Sequence, residues 1–369
     1  MTNATETAVA NDTMAPPENT SGITGWLKEK LFSGPLNIIL TVICGLLVIS
    51  ILPPFIEWAL IKAVWISPTA DACRADRAGA CWAFIAEKHR LILFGLYPYE
   101  EQWRPLLAAL VNIALIVMSC MRRFWNVRLL YIWVIGLALI AWLMWGGILG
   151  LRYVENTNWG GLPLTLILAT FGVGFAFPFG IVLALGRRSN MPAIKTLCII
   201  YIELIRGVPL ISLLFMSSVM LPLFFPEGFS IDKLLRAQLA IIMFAAAYIA
   251  EVIRGGLQAI PKGQYEAADA LGLSYWKKMG FIILPQALKI VIPPMVSLFI
   301  AMFKDTSLVV IIGIFDLMNA TKASLTDTAW KGFSVEAYIF VSIIYFVFCF
   351  SMSKYSQQLE VRLATGHKR

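Results

Sequence analysis

Long apolar segments recur along this sequence from Leu36 almost to the C-terminus, and they rarely contain a charged residue. A helix needs about 20 predominantly apolar residues to cross the hydrocarbon core of a bilayer. Segments of this kind cover residues 36–57, 105–121, 129–151, 162–186, 196–222, 236–254, 287–312 and 337–353. Because a water-soluble core cannot bury so many of them, the sequence predicts an all-α polytopic membrane protein with about eight transmembrane helices.

The charged residues agree with this interpretation. Only 14% of the 369 residues are charged, whereas an average soluble protein carries about 25%. The formal net charge is +8, but Lys and Arg form short clusters between the apolar segments, which favours a role in membrane topology over nucleic-acid binding. If the N-terminus is inside, the pairs Arg122-Arg123 and Arg187-Arg188 both lie in the cytoplasm. The sequence therefore predicts that both termini are cytoplasmic.

Composition and the distribution of apolar segments divide the chain into three parts. Residues 1–35 are rich in Thr, Asn, Ala and Pro and contain no apolar run, which predicts a disordered cytoplasmic tail. The first apolar segment lacks a small-residue cleavage site and is expected to be a retained span. Residues 36–158 form an N-terminal extension with three spans and a long outer loop at 58–104, and residues 159–369 form a five-span core with a connecting loop at 255–286.

The cysteines and histidines bear on two kinds of site, a disulfide and a metal site. Cys73 and Cys81 lie in the polar outer loop; they form a disulfide if this loop faces an oxidising compartment and are free thiols otherwise. The two histidines have no Cys or carboxylate cluster at ligand spacing, so no metal site is expected.

The connecting loop between the sixth and seventh segments has the pattern of a short helix. Turn residues, Gly255-Gly256 and Pro261 to Gly263, precede a run of good helix formers that ends at Gly272, a natural C′ residue. Ser274 then follows as the N-cap of a second short helix. Two interpretations are open for the first helix. It either covers the membrane face of the loop or, because its alanines leave a thin surface, enters a groove on a partner.

The spacing within this loop resembles a known motif. Glu266-Ala267-Ala268, Gly272, Ile282 and Leu284-Pro285 reproduce the EAA-x3-G-x9-I-x-L-P loop of ABC importer permeases. Segments 201–210, 247–256 and 304–308 are similar to the polar amino-acid branch of this family, and the resemblance covers about 160–369. Segments 94–98 and 102–105 of the extension resemble the M subunit of the general L-amino-acid permease.

The resemblance implies a five-helix MetI-like permease core preceded by a three-helix N-terminal extension, in a bacterial inner membrane. It also implies that the loop is the coupling helix that docks into a cleft of an ATPase subunit. The implied ATPase-coupling residues are Glu266, Ala267, Ala268, Asp269, Gly272, Ile282, Leu284 and Pro285.

The partners and cofactors follow from the same resemblance. The implied partners are an ABC ATPase dimer, a second permease subunit that is a homologue or a copy, a periplasmic amino-acid-binding protein and an L-amino acid substrate, with the lipid bilayer around them. The chain contains no G-x-x-x-x-G-K-[ST] sequence, so it is not expected to be an enzyme or to bind a cofactor, and ATP and Mg²⁺ belong to the separate ATPase.

Several ionisable residues lie within the apolar segments, where such groups are costly. Glu203 and Arg206, Glu251 and Arg254, and Lys304 and Asp305 are neighbours in sequence, so each pair either neutralises itself locally or faces a substrate pathway. The candidate pathway residues are Glu203, Arg206, Glu251, Lys304, Asp305 and Thr306. Pro178, Pro209 and Pro293-Pro294 can each kink a span.

Two other functions compete with an ABC permease. A secondary amino-acid transporter or channel also has many spans and buried charges, but it gives no reason for the EAA spacing. A purely structural role in a transporter complex is the third interpretation, and it predicts no contact with solute.

Overall fold

The computed structural model describes residues 22–75, 78–226 and 231–364. The described residues fall into two compact units, one formed by residues up to 64 with 71–80 and the other by 65–70 with residues from 81 onward. The helices are α1 (Ile23–Leu31), α2 (Pro35–Ile56), α3 (Trp82–Phe94), α4 (Trp103–Cys120), α5 (Val127–Trp145), α6 (Gly161–Arg187), α7 (Pro192–Gly207), α8 (Leu210–Val219), α9 (Lys233–Ala259), α10 (Lys262–Ala270), α11 (Tyr275–Lys278), α12 (Leu284–Asp305), α13 (Leu317–Ser324) and α14 (Ser334–Ala364).

The helices confirm the predicted fold class. Over the described residues, seven helical segments are long and apolar enough to cross a membrane, and the count becomes eight if α7 and α8 form one span. Tyr275 to Ile312 form one continuous segment that contains α11, a π-helical stretch, α12 and a 3-10 turn. Residues 1–21 of the predicted tail lie outside the described part, and α1 lies within its remaining residues.

The fifth predicted span is a sharply bent pair rather than a single helix. α7 and α8 meet at an angle of 102°. Val208 is extended and Pro209 stands at the N-cap of α8, because the residue before a proline avoids the helical region and proline donates no N–H. Pro178 and Pro293-Pro294, by contrast, lie inside the continuous helices α6 and α12.

The core of the larger unit is built around α9, which packs against α6, α7, α8 and α12. Its Ala245-Ala246-Ala247 run is fully buried, and small residues of this kind let membrane helices approach closely. α9 also continues past Gly255-Gly256, where the sequence places the start of the loop. A Cβ at Gly256 would lie 2.4 Å from Val291 Cγ1 and 2.8 Å from the Ala287 carbonyl oxygen, so this glycine allows α12 to approach.

The outer loop of the extension contains a helix that the sequence analysis did not assign. α3 packs against α6, α13 and α14. The Phe84 ring lies 6.3 Å from the Trp330 ring and 6.1 Å from the Phe333 ring. Lys88 Nζ lies 2.7 Å from Asp327 Oδ2, and the backbone N–H of Cys81 donates to buried Glu336 at 2.9 Å. α3 therefore covers the end of the core at which α6 begins.

Candidate coupling site and membrane charge cluster

α10 is a short helix bounded by backbone features that the sequence predicts. Pro261 precedes it, and it ends at Ala270 with Leu271 as its C-cap, followed by Gly272 with a φ of +67°. The Leu273 N–H donates to the Ala268 carbonyl at 3.2 Å and the Gly272 N–H donates to the Asp269 carbonyl at 2.9 Å. Because only glycine adopts this left-handed conformation without strain, Gly272 ends the helix where predicted.

The two faces of α10 differ in exposure. Ala268 is buried, whereas Glu266, Ala267 and Ala270 are exposed. α10 packs against the π-helical segment Met279–Ile283. The expectation that Ala268 belongs to a thin outer surface is therefore wrong, because the helix turns this residue towards its own support.

The remaining motif residues form that support. Ile282 and Leu284 are partly buried against the hydrophobic core. Pro285 lies in the first turn of α12, directly after the π-helical segment, and the Leu284 N–H reaches back to the Met279 carbonyl. A π turn widens the helix, which relieves the clash that a proline ring makes with the preceding turn. The Leu284-Pro285 pair thus lies inside one continuous helical segment rather than in a loop.

Polar contacts tie α10 to the following span. Asp269 Oδ1 lies 2.5 Å from Lys278 Nζ, and the Gln286 side-chain amide donates to Gln264 Oε1 at 3.2 Å. Ser274 stands at the N-cap of α11, as predicted, but its side chain makes no capping hydrogen bond. Displacement of α10 must therefore act on the start of the α11–α12 segment.

Sequence reasoning missed a second anchor of α10. Arg188 Nη1 donates to the Leu257 carbonyl at 2.9 Å and to Tyr265 Oη at 3.0 Å. Tyr265 Oη donates to the same Leu257 carbonyl at 3.0 Å. Arg188 was interpreted only as a topology signal, and a contact with a tyrosine 77 residues further along leaves no mark in the sequence.

Five ionisable residues from three helices meet in what we call the membrane charge cluster: Arg187 on α6, Glu203 and Arg206 on α7, and Glu251 and Arg254 on α9. Arg187 Nη1 lies 2.8 Å from Glu203 Oε1 and 3.3 Å from Glu251 Oε2. Arg206 Nη1 lies 3.8 Å from Glu251 Oε2.

Local pairing holds for only one of the predicted pairs. Arg254 forms an ion pair with Glu251 one turn away, as expected. Glu203 and Arg206 instead contact residues of other helices. Arg206 Nε is buried without a hydrogen-bond partner, and its guanidinium lies 5.4 Å from the centre of the Tyr248 ring.

The other predicted pathway residues lie apart from this cluster in sequence and in contacts. Thr306 is buried and donates to the Phe303 carbonyl at 2.8 Å, whereas Lys304 is exposed. Within the described residues, no ion pair joins Lys304 to Asp305, and no ion pair or hydrogen bond joins Lys304, Asp305 or Thr306 to the membrane charge cluster. The six candidates thus form two groups.

The remaining candidates concern cysteine and metal chemistry. Cys73 and Cys81 are both buried. Across residues 22–75, 78–226 and 231–364, no group of three or more His, Cys, Asp or Glu is placed to hold a metal ion.

Comparisons with known proteins match this architecture. Residues 176–364 match the family model "Binding-protein-dependent transport system inner membrane component". The chain is 51% identical, over 94% of its length and 95% of the relative, to the inner membrane amino-acid ABC transporter permease protein YhdY of Escherichia coli K12. It is 38% identical, over 98% of its length and 99% of the relative, to the glutamate/glutamine/aspartate/asparagine transport system permease protein BztC of Rhodobacter capsulatus.

A shorter relative matches only part of the chain. The probable glutamine ABC transporter permease protein GlnP of Bacillus subtilis is 34% identical over 55% of this chain and 92% of its own length. About half of the present chain is therefore enough to match nearly all of that permease, whereas YhdY and BztC match the extension as well.

A bundle of membrane-spanning helices, with a short supported helix exposed between two long spans, defines the permease class of transport protein. The chain belongs to the family of binding-protein-dependent transport system inner membrane components. It is the permease component of an ABC importer, a multi-pass inner-membrane protein whose ATPase is a separate subunit and which acts with a solute-binding protein. This membership replaces the secondary transporter or channel as an interpretation.

Proposed function

We propose that this chain translocates L-amino acids inward across the membrane, driven by an ABC ATPase that docks on α10. The cargo proposal rests on YhdY and BztC, because both are named as permeases for amino acids and both align with nearly the whole chain. Segments 94–98 and 102–105 support the finer proposal that the chain is of the general L-amino-acid permease M-subunit type.

The division of α10 into two faces carries the coupling proposal. Glu266 and Ala267 are exposed, while Ala268 is buried on a helix that packs against the start of the following span. The adjacent Leu271 and Trp276 are 75% and 74% exposed, and exposed apolar side chains beside charged ones are typical of an interface. A partner that contacts this surface would therefore move the α11–α12 segment as it moves α10.

A charge reversal at Glu266 tests the docking proposal. We expect Glu266→Lys to abolish uptake and substrate-stimulated ATP hydrolysis. Membrane insertion should stay normal, because the carboxylate is exposed and does not contribute to packing. Glu360→Lys, the same reversal at an exposed site on α14, is the matched control and should leave uptake intact. Wild-type uptake by Glu266→Lys would overturn the coupling role of α10.

The membrane charge cluster is the first part of the proposed substrate pathway. A zwitterionic amino acid needs both a donor and an acceptor, and Arg206 Nε without a partner and the half-exposed carboxylate of Glu203 offer them. Lys304, Asp305 and Thr306 are proposed as a second position on the pathway, at the far end of α12.

Removal of one charge tests the pathway. Glu203→Gln keeps the size of the side chain but loses the ion pair with Arg187, so we expect substrate-stimulated ATP hydrolysis and uptake to fall together. Normal uptake and normal stimulation in the assembled complex would exclude Glu203 from the pathway.

The proposed assembly is a heterodimer of this chain with a homologous second permease subunit, on an ATPase dimer, with a periplasmic amino-acid-binding protein outside. The family supports the ATPase and the binding protein, and the M-subunit resemblance supports a homologue over a second copy. Purification of the complex through a tag on this chain, followed by intact-mass analysis, should yield one copy of this subunit per two ATPases.

The outer loop is proposed to face the periplasm, with both termini in the cytoplasm and a disulfide between Cys73 and Cys81. Peptide mapping without reduction should recover the two cysteines in one cross-linked peptide. Recovery of two alkylated thiols would exclude the bond.

A further inference from the structure

We propose that Arg187 and Arg188 are positioning residues for transport, which connect the coupling helix α10 to the membrane charge cluster. The inference rests on the proposed coupling role of α10 and adds the route by which its displacement reaches the helices. Both residues stand at the C-terminal end of α6, Arg187 as its last residue and Arg188 as its C-cap.

Arg188 holds the cytoplasmic side of this connection. Its Nη1 donates both to Tyr265 Oη, at 3.0 Å, and to the Leu257 carbonyl, at 2.9 Å. Tyr265 directly precedes Glu266 on α10, and Leu257 lies in the last turn of α9. Tyr265 on α10 and Arg188 on α6 therefore donate to the same acceptor, the Leu257 carbonyl on α9, and they also contact each other.

Arg187 holds the membrane side. Its Nη1 contacts Glu203 on α7 at 2.8 Å and Glu251 on α9 at 3.3 Å. Adjacent residues have Cα atoms only about 3.8 Å apart, so a shift of Arg188 is passed to Arg187 without an intervening flexible segment. Displacement of Tyr265 then changes the two carboxylate contacts that hold α6 against α7 and α9.

The competing explanation is that the arginine pair only sets membrane topology. Topology depends on the number of positive charges in the loop, and lysine preserves that number. Lysine does not reproduce the planar guanidinium, which serves two acceptors in fixed directions. Arg188→Lys therefore separates the two explanations.

The test uses the complete complex with its ATPase, partner permease and binding protein in lipid nanodiscs. The readouts are basal ATP hydrolysis and hydrolysis stimulated by binding protein with a mixture of L-glutamate and L-glutamine, and uptake of the same radiolabelled mixture is measured in proteoliposomes. We expect Arg188→Lys to lower the ratio of stimulated to basal hydrolysis by about tenfold, with unchanged co-purification of all subunits. Arg123→Lys, in the exposed turn between α4 and α5, is the matched control and should keep the wild-type ratio.

Tyr265→Phe supplies the second variant, since it removes only the hydroxyl that accepts from Arg188. We expect Tyr265→Phe also to lower the ratio of stimulated to basal hydrolysis. The double variant should lower this ratio no further than the more severe single variant, because both substitutions break the same link. A wild-type ratio in either single variant, or multiplied effects in the double variant, would overturn the inference. If Glu266→Lys, run in parallel, keeps uptake, the coupling role of α10 itself fails; if it loses uptake while Arg188→Lys is normal, only the present inference fails.

Discussion

At the scale of single residues, Asp316 caps a helix but is buried, and these two features have opposite effects on the stability of its ionised form. Its side chain is fully buried and caps α13, accepting from the N–H of Asn319 at 3.0 Å and of Met318 at 3.1 Å. Burial raises the pKa of this carboxyl to about 6, although the two backbone donors and the charge of Lys322 act in the opposite direction. Its pKa in an unfolded chain is about 3.9.

This difference predicts a pH dependence of stability. Between about pH 4 and pH 6 the folded protein holds a proton at Asp316 that the unfolded chain releases, so this group makes the folded state less stable as the pH rises. Asp316→Asn keeps a good N-cap without the charge, and it should raise the free energy of unfolding by up to about 3 kcal/mol at pH 8, with a smaller gain at pH 5. Thermal unfolding of the detergent-solubilised protein at the two pH values measures this gain.

The matched control for this prediction is Asp232→Asn. Asp232 caps α9 in the same way, accepting from the N–H of Leu234 and of Leu235, but it is exposed. The control removes the charge of a capping carboxylate that is not buried, so it separates the cost of burial from the loss of a helix cap. An equal gain from Asp316→Asn at both pH values would mean that the carboxylate carries no burial cost.

At the scale of helices, apolarity predicts the spans but not how they bend or what covers them. Of the three proline sites predicted to kink a span, Pro178, Pro209 and Pro293-Pro294, only Pro209 interrupts its helix. The residues before it, Gly207 and Val208, are a weak helix former and a β-branched residue, and both favour an interruption ahead of proline. Pro178 and Pro293-Pro294 lie in long apolar helices whose other hydrogen bonds persist.

α3 was missed for a different reason. Glu87, Lys88, His89 and Arg90 stand in its middle, so the segment reads as a charged loop. Its buried residues, Phe84 and Ile92, contact residues that follow more than 200 positions later. Likewise, the turns and helix formers predicted α10 and its end at Gly272, but not the contact of Tyr265 with Arg188, which depends on how α6 and α9 pack.

The aromatic contact of α3 gives a prediction for this helix. Phe84 has no exposed surface and packs against both Trp330 and Phe333, and deletion of a buried phenylalanine ring costs about 3–5 kcal/mol. We expect Phe84→Ala to loosen α3 from the segment between α13 and α14 that carries Trp330 and Phe333, so that the amides of residues 82–94 lose protection in hydrogen–deuterium exchange. Phe346→Ala, at an exposed ring on α14, should leave that protection unchanged; loss of protection in both variants would argue against a specific contact.

At the scale of the larger unit, α6 runs from one end of the core to the other. Its first residue, Gly161, donates its N–H to the Phe315 carbonyl beside α13, and Arg188 at its other end contacts α10. A helix rises about 1.5 Å per residue, so its 27 residues span roughly 40 Å. That length crosses the hydrocarbon core, which is about 30 Å thick. We therefore expect the surface covered by α3 and the exposed surface of α10 to lie on opposite sides of the bilayer.

This separation turns the proposed orientation into a prediction about the molecule in its membrane. Single cysteines are placed at exposed Glu266 on α10 and at exposed Glu155 before α6, in a background that lacks the four free cysteines Cys44, Cys120, Cys198 and Cys349. A membrane-impermeant maleimide added to spheroplasts should label Glu155→Cys alone, and the same reagent added to inverted vesicles should label Glu266→Cys alone. Lys and Arg cluster at the α10 end of the core, among them Arg187, Arg188, Lys262, Lys277 and Lys278, and such clusters stay on the cytoplasmic side of a membrane. Labelling of both cysteines from one side would contradict the assignment of α6 as a full span, and the reverse pattern would contradict the cytoplasmic location of α10.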